Sequence, residues 1–227
     1  MSVVSPFMAD DESGDAAIID NRMLPDQVAT ILVRGVLFGR LQPGQRINEA
    51  ELARTLGISR NPIREAIRRL EERGLLVAVP RKGTFVRTLR KEDIDDLFSF
   101  RKLIERYAME QAIRHITPAD VDRLSNHVQT MVDAAKSGDE RTLVELDLAF
   151  HQEFCKLSRS PLTLRTFNNM QAEVQLLITM SERKFESLIA AASDHWLIIE
   201  AIRTGEPDKA INAISDHIDV AWAHLNS

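Results

Sequence analysis

Four side chains in the C-terminal half of this 227-residue chain are of the types that hold a transition metal. Asp147 and His151 stand four apart in "ELDLAFHQEF", so on a helix both project from one face and can share a cation. His195, in "SDHWLIIEAI", and His217, in "ISDHIDV", fall on the last two helical patterns of the chain. In an antiparallel bundle such residues can converge inside the core, where carboxylate and imidazole sites are built. Spacing alone equally allows each to be a surface histidine or a hydrogen-bonded core histidine. His115, His127 and His224 stand apart from this spacing, and Cys155, one turn beyond His151, reads as a small buried apolar side chain rather than a ligand. Arg101, in "FSFRKLIERY", is followed at i+4 by Glu105. It is either half of a local ion pair or a clamp for a carboxylate ligand.

A second chemistry is concentrated in "ISRNPIREAIRRLEERGLL", residues 58–76, which packs five arginines into fourteen positions of a chain with a net charge of -5. Divided along the chain, residues 1–22 carry -4, residues 23–90 carry 13 basic and 6 acidic groups (+7), and residues 91–227 carry 15 and 23 (-8). A basic module joined to an acidic one is the asymmetry expected when only one part meets a polyanion.

The elements that must position these groups are mostly helical. Hydrophobic residues make up 44% and aromatics only 5%, with nine glycines. Residues 1–22 are polar, acidic and aperiodic, and predict a disordered tail. Helical spacing of Val28, Ile31, Leu32 and Val36 predicts a first helix that "LQPGQ" stops. "NEAELARTLG" predicts a short second helix with Asn48 as N-cap and Gly57 at its C-terminus. A third helix is predicted from Asn61 as cap, with Pro62 at its first position, to Gly74. "LLVAV" and "TFVRT", joined by "PRKG", then read as a hairpin with Arg81, Lys82 and Gly83 at its tip. Residues 23–88 thus predict a winged helix-turn-helix. In the third helix Ile63, Ala66, Ile67 and Leu70 form the buried stripe, which leaves Asn61, Arg64, Arg68 and Glu72 on the solvent side with Arg60 in the turn ahead. Such a face can present guanidinium forks to guanine edges, or it can be a solvated face with ion pairs such as Arg68 to Glu72.

From residue 92 to 227 six helical patterns, near 92–115, 118–136, 139–158, 161–183, 187–204 and 207–225, predict an all-α antiparallel bundle. The fold class is therefore mainly α, with "RTLRKED" as the hinge between the two parts. No apolar run approaches the roughly 20 residues of a membrane span, and the start lacks a basic segment followed by an apolar core. With a single cysteine, which fits a reducing compartment, this predicts a cytoplasmic protein. No nucleophile elbow, glycine-rich phosphate loop or HExxH helix is present.

"LQPGQRINEAELARTLGISRNPIREAIRRLEERGLLVAVPRKGTFV", residues 41–86, resembles the DNA-binding domain of GntR-family bacterial transcription regulators, and the helical remainder resembles the FCD effector domain of that family's FadR-type branch. The resemblance covers about residues 23–225. It implies that Arg60 and Arg64 read bases, that Asn61 assists, and that Gly83 enters the minor groove. Ala50 stands where some members carry a base-contacting arginine, so their operator preference does not transfer. It implies a metal site of Asp147, His151, His195 and His217, with Arg101 lining the same cavity, and the complete quartet argues against an acyl-CoA sensor. Three imidazoles and one carboxylate favour zinc, nickel or manganese over calcium or magnesium. The resulting expectation is a homodimeric repressor of an organic-acid or sugar-acid catabolic operon. It would bind a palindromic operator and respond to a small carboxylate. The alternatives are a metal-dependent hydrolase with an appended DNA-binding module, for which Glu153 is the candidate base, and a constitutive architectural DNA binder.

Overall fold

The computed structural model describes residues 24–226, so the acidic segment 1–22 lies outside the described residues. The chain divides into two compact units that meet between Leu89 and Arg90.

The first unit is built from α1 (Leu24–Leu37), α2 (Glu49–Leu56), α3 (Arg60–Glu72), β1 (Leu76–Val79) and β2 (Gly83–Val86). Asn48 caps α2 as its sequence predicts, its side chain accepting from the amides of Ala50 (3.1 Å) and Glu51 (3.2 Å), and Gly57 ends the helix at φ 67. The third helix starts two residues earlier than expected. Ser59 is the N-cap, Arg60 is the first helical residue, and Pro62 lies within the first turn. Proline is tolerated there because the amides of that turn have no intrahelical acceptor, so Asn61 is released from capping and is exposed. Ile63, Ala66, Ile67 and Leu70 are buried with Val28 and Leu32 of α1, as the periodicity requires. The hairpin pairs Leu76 with Val86 and Val79 with Gly83. The segment before α2 adds to its free edge, with the Ile47 amide donating to Thr84 O (2.9 Å) and the Val86 amide to Gln45 O (2.8 Å). This third edge carries no period-2 signal because it is only a few residues long. At the wing tip Arg81 takes φ 64 and Gly83 φ 109. That backbone angle makes glycine the residue for the position, and a Cβ there would also displace the Arg46 guanidinium, 3.0 Å away at Nε.

The second unit contains α4 (Lys91–Ala112), α5 (Pro118–Ser137), α6 (Glu140–Leu157), α7 (Pro161–Asn169), α8 (Gln171–Glu182), α9 (Leu188–Asp194), α10 (Trp196–Arg203) and α11 (Pro207–Asn226). Two of the six expected helices are each split in two, at Met170 and at His195. At His195 the cause is visible: Nδ1 of the imidazole lies 3.2 Å from Ala191 O and 3.3 Å from Ala192 O, occupying carbonyls that the continuing helix amides would use. The hinge is also shorter than its sequence suggests. Lys91–Asp93 already belong to α4, because the Asp93 carboxylate accepts from the Arg90 amide (3.0 Å). The core is apolar and continuous, from Phe98 and Met109 of α4 through Phe150 and Phe154 of α6 to Ile214 and Ile218 of α11. Among the described residues no helix is long and apolar enough to cross a membrane.

Candidate metal centre and nucleic-acid interface

Asp147 and His151 lie on the buried stripe of α6, with Val144, Phe150 and Phe154 around them. His195 comes from the α9–α10 junction and His217 from α11. The bundle brings the three imidazoles together, with ring centroids 5.5 Å (His151–His195), 5.2 Å (His151–His217) and 4.3 Å (His195–His217) apart. One nitrogen from each lies within 4.8 Å of the other two. Asp147 adjoins this triad on one edge, its Oδ1 3.4 Å from His151 Nε2 and its Oδ2 3.3 Å from His195 Nε2.

Every imidazole is oriented from behind. His151 Nδ1 donates to Glu105 Oε2 (2.5 Å), His217 Nδ1 to Asp194 Oδ2 (2.7 Å), and His195 Nδ1 to the carbonyls of the α9 C-terminus. A carboxylate or carbonyl only accepts, so a neutral ring held in this way carries its proton on Nδ1 and leaves Nε2 as a lone pair. Asp147 Oδ1, His151 Nε2 and His195 Nε2 are fully buried and have no hydrogen-bond partner. An orphaned buried polar atom costs about 1–3 kcal/mol, so three of them on the same cluster fit a cation that would satisfy all at once.

The buried groups shift one another's ionisation. Burial would raise the Glu105 carboxyl, but Arg101 and His151 hold it down at about 2. Burial pushes His217 down to about 4, assisted by the charge of His195, and burial also lowers His151. At His195 burial is outweighed by the Asp147 carboxylate, which raises it. Neutral imidazoles are the ligand form. Cys155 stays outside the cluster, its thiol pushed up chiefly by burial.

Arg101 combines its two sequence readings. It is 2% exposed and donates Nε to Glu105 Oε1 at 2.6 Å, yet its Nη2 is buried with no partner. Glu105 therefore links Arg101 to His151. The i+4 spacing marks Glu105 as a partner of Arg101, but its hold on an imidazole 46 positions away is a tertiary fact. Asp194 and the buried Glu182 of α8 were equally invisible in sequence. Glu153, the base considered for a hydrolase, pairs with Arg123 at 2.9 Å on a partly exposed surface.

On the first unit Arg60, Asn61, Arg64, Arg68, Arg81, Lys82 and Gly83 are all exposed. They differ in how they are held. Arg64 Nε donates to Glu49 Oε2 (2.8 Å) at the start of α2, a partner sequence reading did not identify. Arg68 is engaged by Glu65 and Glu72, the solvated-face arrangement, and with Arg69 it holds the Glu65 carboxyl down at about 2.

Residues 24–86 match the family described as "Bacterial regulatory proteins, gntR family", and residues 96–220 match the "FCD domain". The chain is 30% identical to the "Probable D-xylose utilization operon transcriptional repressor" of Paenarthrobacter nicotinovorans, over 88% of this chain and 89% of that one. It is 25% identical to the "Gluconate operon transcriptional repressor" of Bacillus licheniformis, over 85% and 81%. The solved structure of E. coli McbR/YncC shares the fold at a TM-score of 0.75 and 21% identity, covering 89% of this chain and 97% of that one. A winged module with an arginine-bearing helix, carried in one chain with a helical domain of this kind, belongs to the GntR family of bacterial transcription regulators in its FCD-containing form, and the chain is a DNA-binding regulator rather than an enzyme.

Proposed function

We propose that this regulator is a cytoplasmic homodimeric repressor of an organic-acid or sugar-acid catabolic operon, and that it releases or rearranges on a palindromic operator when a small carboxylate binds beside a metal in the helical unit. The observation that carries this reading is the set of buried, unpartnered polar atoms on one cluster: Asp147 Oδ1, His151 Nε2 and His195 Nε2, with Arg101 Nη2 tied to the same cluster through Glu105. Asp147, His151, His195 and His217 would hold the cation; imidazole-rich donors suit zinc, nickel or manganese. A divalent cation there would offer a Lewis-acid position to a carboxylate oxygen. Arg101 would take the other oxygen with Nη2 while Nε stays on Glu105. The relatives that repress D-xylose and gluconate operons support a sugar or sugar-acid context.

Regulation requires that the carboxylate bind one arrangement of the two DNA-binding units better than the other, since equal affinity shifts nothing. The direct test is to select a duplex from a random pool and titrate the zinc-loaded protein on it with a panel of carboxylates. Release, or a changed footprint on a duplex that stays occupied, by one of them and absent with the corresponding primary alcohols, is the expected result; unchanged occupancy and footprint throughout would refute the proposal. Arg101→Ala is expected to weaken that carboxylate by about 1.5–3 kcal/mol in calorimetry while leaving DNA affinity without it nearly intact.

The dimer is supported by an apolar stripe on α4, where Phe100, Leu103 and Tyr107 are 44%, 60% and 47% exposed at i, i+3 and i+7. A contiguous exposed stripe marks an interaction surface. Leu103→Glu is expected to yield monomers in sedimentation, and with them a loss of operator affinity on the order of 100-fold, because each half-site is then bound alone. A dimer unaffected by Leu103→Glu would place the interface elsewhere.

A further inference from the structure

α8 carries a carboxyl group whose placement the metal cluster does not require. Glu182 ends the stripe Val174, Ile178, Glu182, whose first two members are in the apolar core, so it faces the same interior. It is 3% exposed, and both carboxylate oxygens are buried with no hydrogen-bond partner. The adjacent cation, Arg183, is taken by Glu140 and leaves Glu182 unpaired. A buried carboxyl with two idle oxygens calls for partners that the protein's own side chains do not supply.

We infer that Glu182 is a specificity-determining residue of the effector site that reads a hydroxyl group, so that the effector is a hydroxylated carboxylate rather than a simple fatty or dicarboxylic acid. The inference rests on the carboxylate reading above and deepens it. Arg101 and the Asp147 cluster account for the acid end of such a ligand; neither offers an acceptor to a hydroxyl, because their free positions are a donor and metal-ligand atoms. Glu182 offers two acceptor oxygens and, when protonated, one donor, which matches a hydroxyl that both donates and accepts. A hydroxyl can both donate to and accept from such a carboxyl, whereas an ammonium group can only donate to it. Hydrogen-bonding sites of this kind discriminate strongly, since a ligand lacking the group leaves the buried carboxyl unsatisfied.

The test measures affinities of the zinc-loaded full chain for matched sets: glycolate and acetate, lactate, propionate and alanine, gluconate and hexanoate. The expected result is a preference of about 10-fold or more for the hydroxylated member of at least one set, falling to within about 3-fold in Glu182→Leu and largely kept in Glu182→Gln. Carboxylates that bind with no hydroxyl preference, or a preference that survives Glu182→Leu, overturn the assignment while leaving the carboxylate reading intact. A preference for alanine over lactate overturns the hydroxyl in favour of an ammonium. If no acid in the panel binds, or none depends on Arg101, the carboxylate reading itself fails and the role of Glu182 falls with it. Circular dichroism and zinc content of each variant separate these outcomes from misfolding, and Glu182→Gln, which keeps volume and hydrogen bonding, serves as the folded control.

Discussion

Chelation of the protein as purified is expected to lower the unfolding temperature of the helical unit by roughly 10 °C or more. A cation bound only by the native state stabilises it by about 4 kcal/mol at a thousandfold excess over its dissociation constant, and in a unit of this size each kcal/mol is worth a few degrees. His217→Gln should remove most of that response while leaving the apolar core in place. His195→Ala should also remove it, with an added loss because its Nδ1 bonds to Ala191 and Ala192 hold the α9–α10 junction. Calorimetric scans with and without chelator, paired with elemental analysis, decide the matter. Binding of less than ~0.1 equivalent of metal after reconstitution with zinc, nickel and manganese would sink the site.

Loss of sequence discrimination is the second large effect. Arg64 stands on the exposed side of α3, one turn from its start, and Glu49 fixes its Nε, which leaves the terminal nitrogens to face outward. Arg64→Ala is expected to cost roughly 1–3 kcal/mol on the selected duplex and to relax preference at one base pair in each half-site. Lys82, at the wing tip, should behave as a phosphate contact. Lys82→Ala should weaken selected and scrambled duplexes alike and make the salt dependence shallower by about one unit per contact, hence about two for a dimer. Titrations of both duplexes at several salt concentrations separate the two. Equal losses for Arg64→Ala on both sequences would make α3 a phosphate anchor.

The winged unit was legible because each of its signals is local: an asparagine cap, a left-handed glycine, a 3.6-residue apolar stripe and a period-2 hairpin. Its one missed component, the pairing of residues 44–47 with β2, joins segments some forty positions apart and leaves no mark on either. The bundle was legible as helices, but not where they break, because the interruption at His195 comes from a side chain displacing backbone amides rather than from proline or glycine. The clustering of Asp147, His151, His195 and His217 could be anticipated because spacing and family pattern coincide on them. Glu105, Asp194 and Glu182 could not, since an acidic residue in a helix carries no sign of whether its carboxyl faces solvent or an imidazole on another helix.

The burial of the three imidazoles bears on time as well as on affinity. The rings come from α6, the α9–α10 junction and α11 and are held from α4 and α9, so no single loop can swing aside and uncover them. An ion seated there would be held by groups from several helices at once, so its release would require those ligands to let go together. Its occupancy would then average the cell's metal supply over many such events and forget brief fluctuations. A ligand joining from outside would exchange far faster. The ion would thus act as a resident part of the receptor, and the small acid would carry the news.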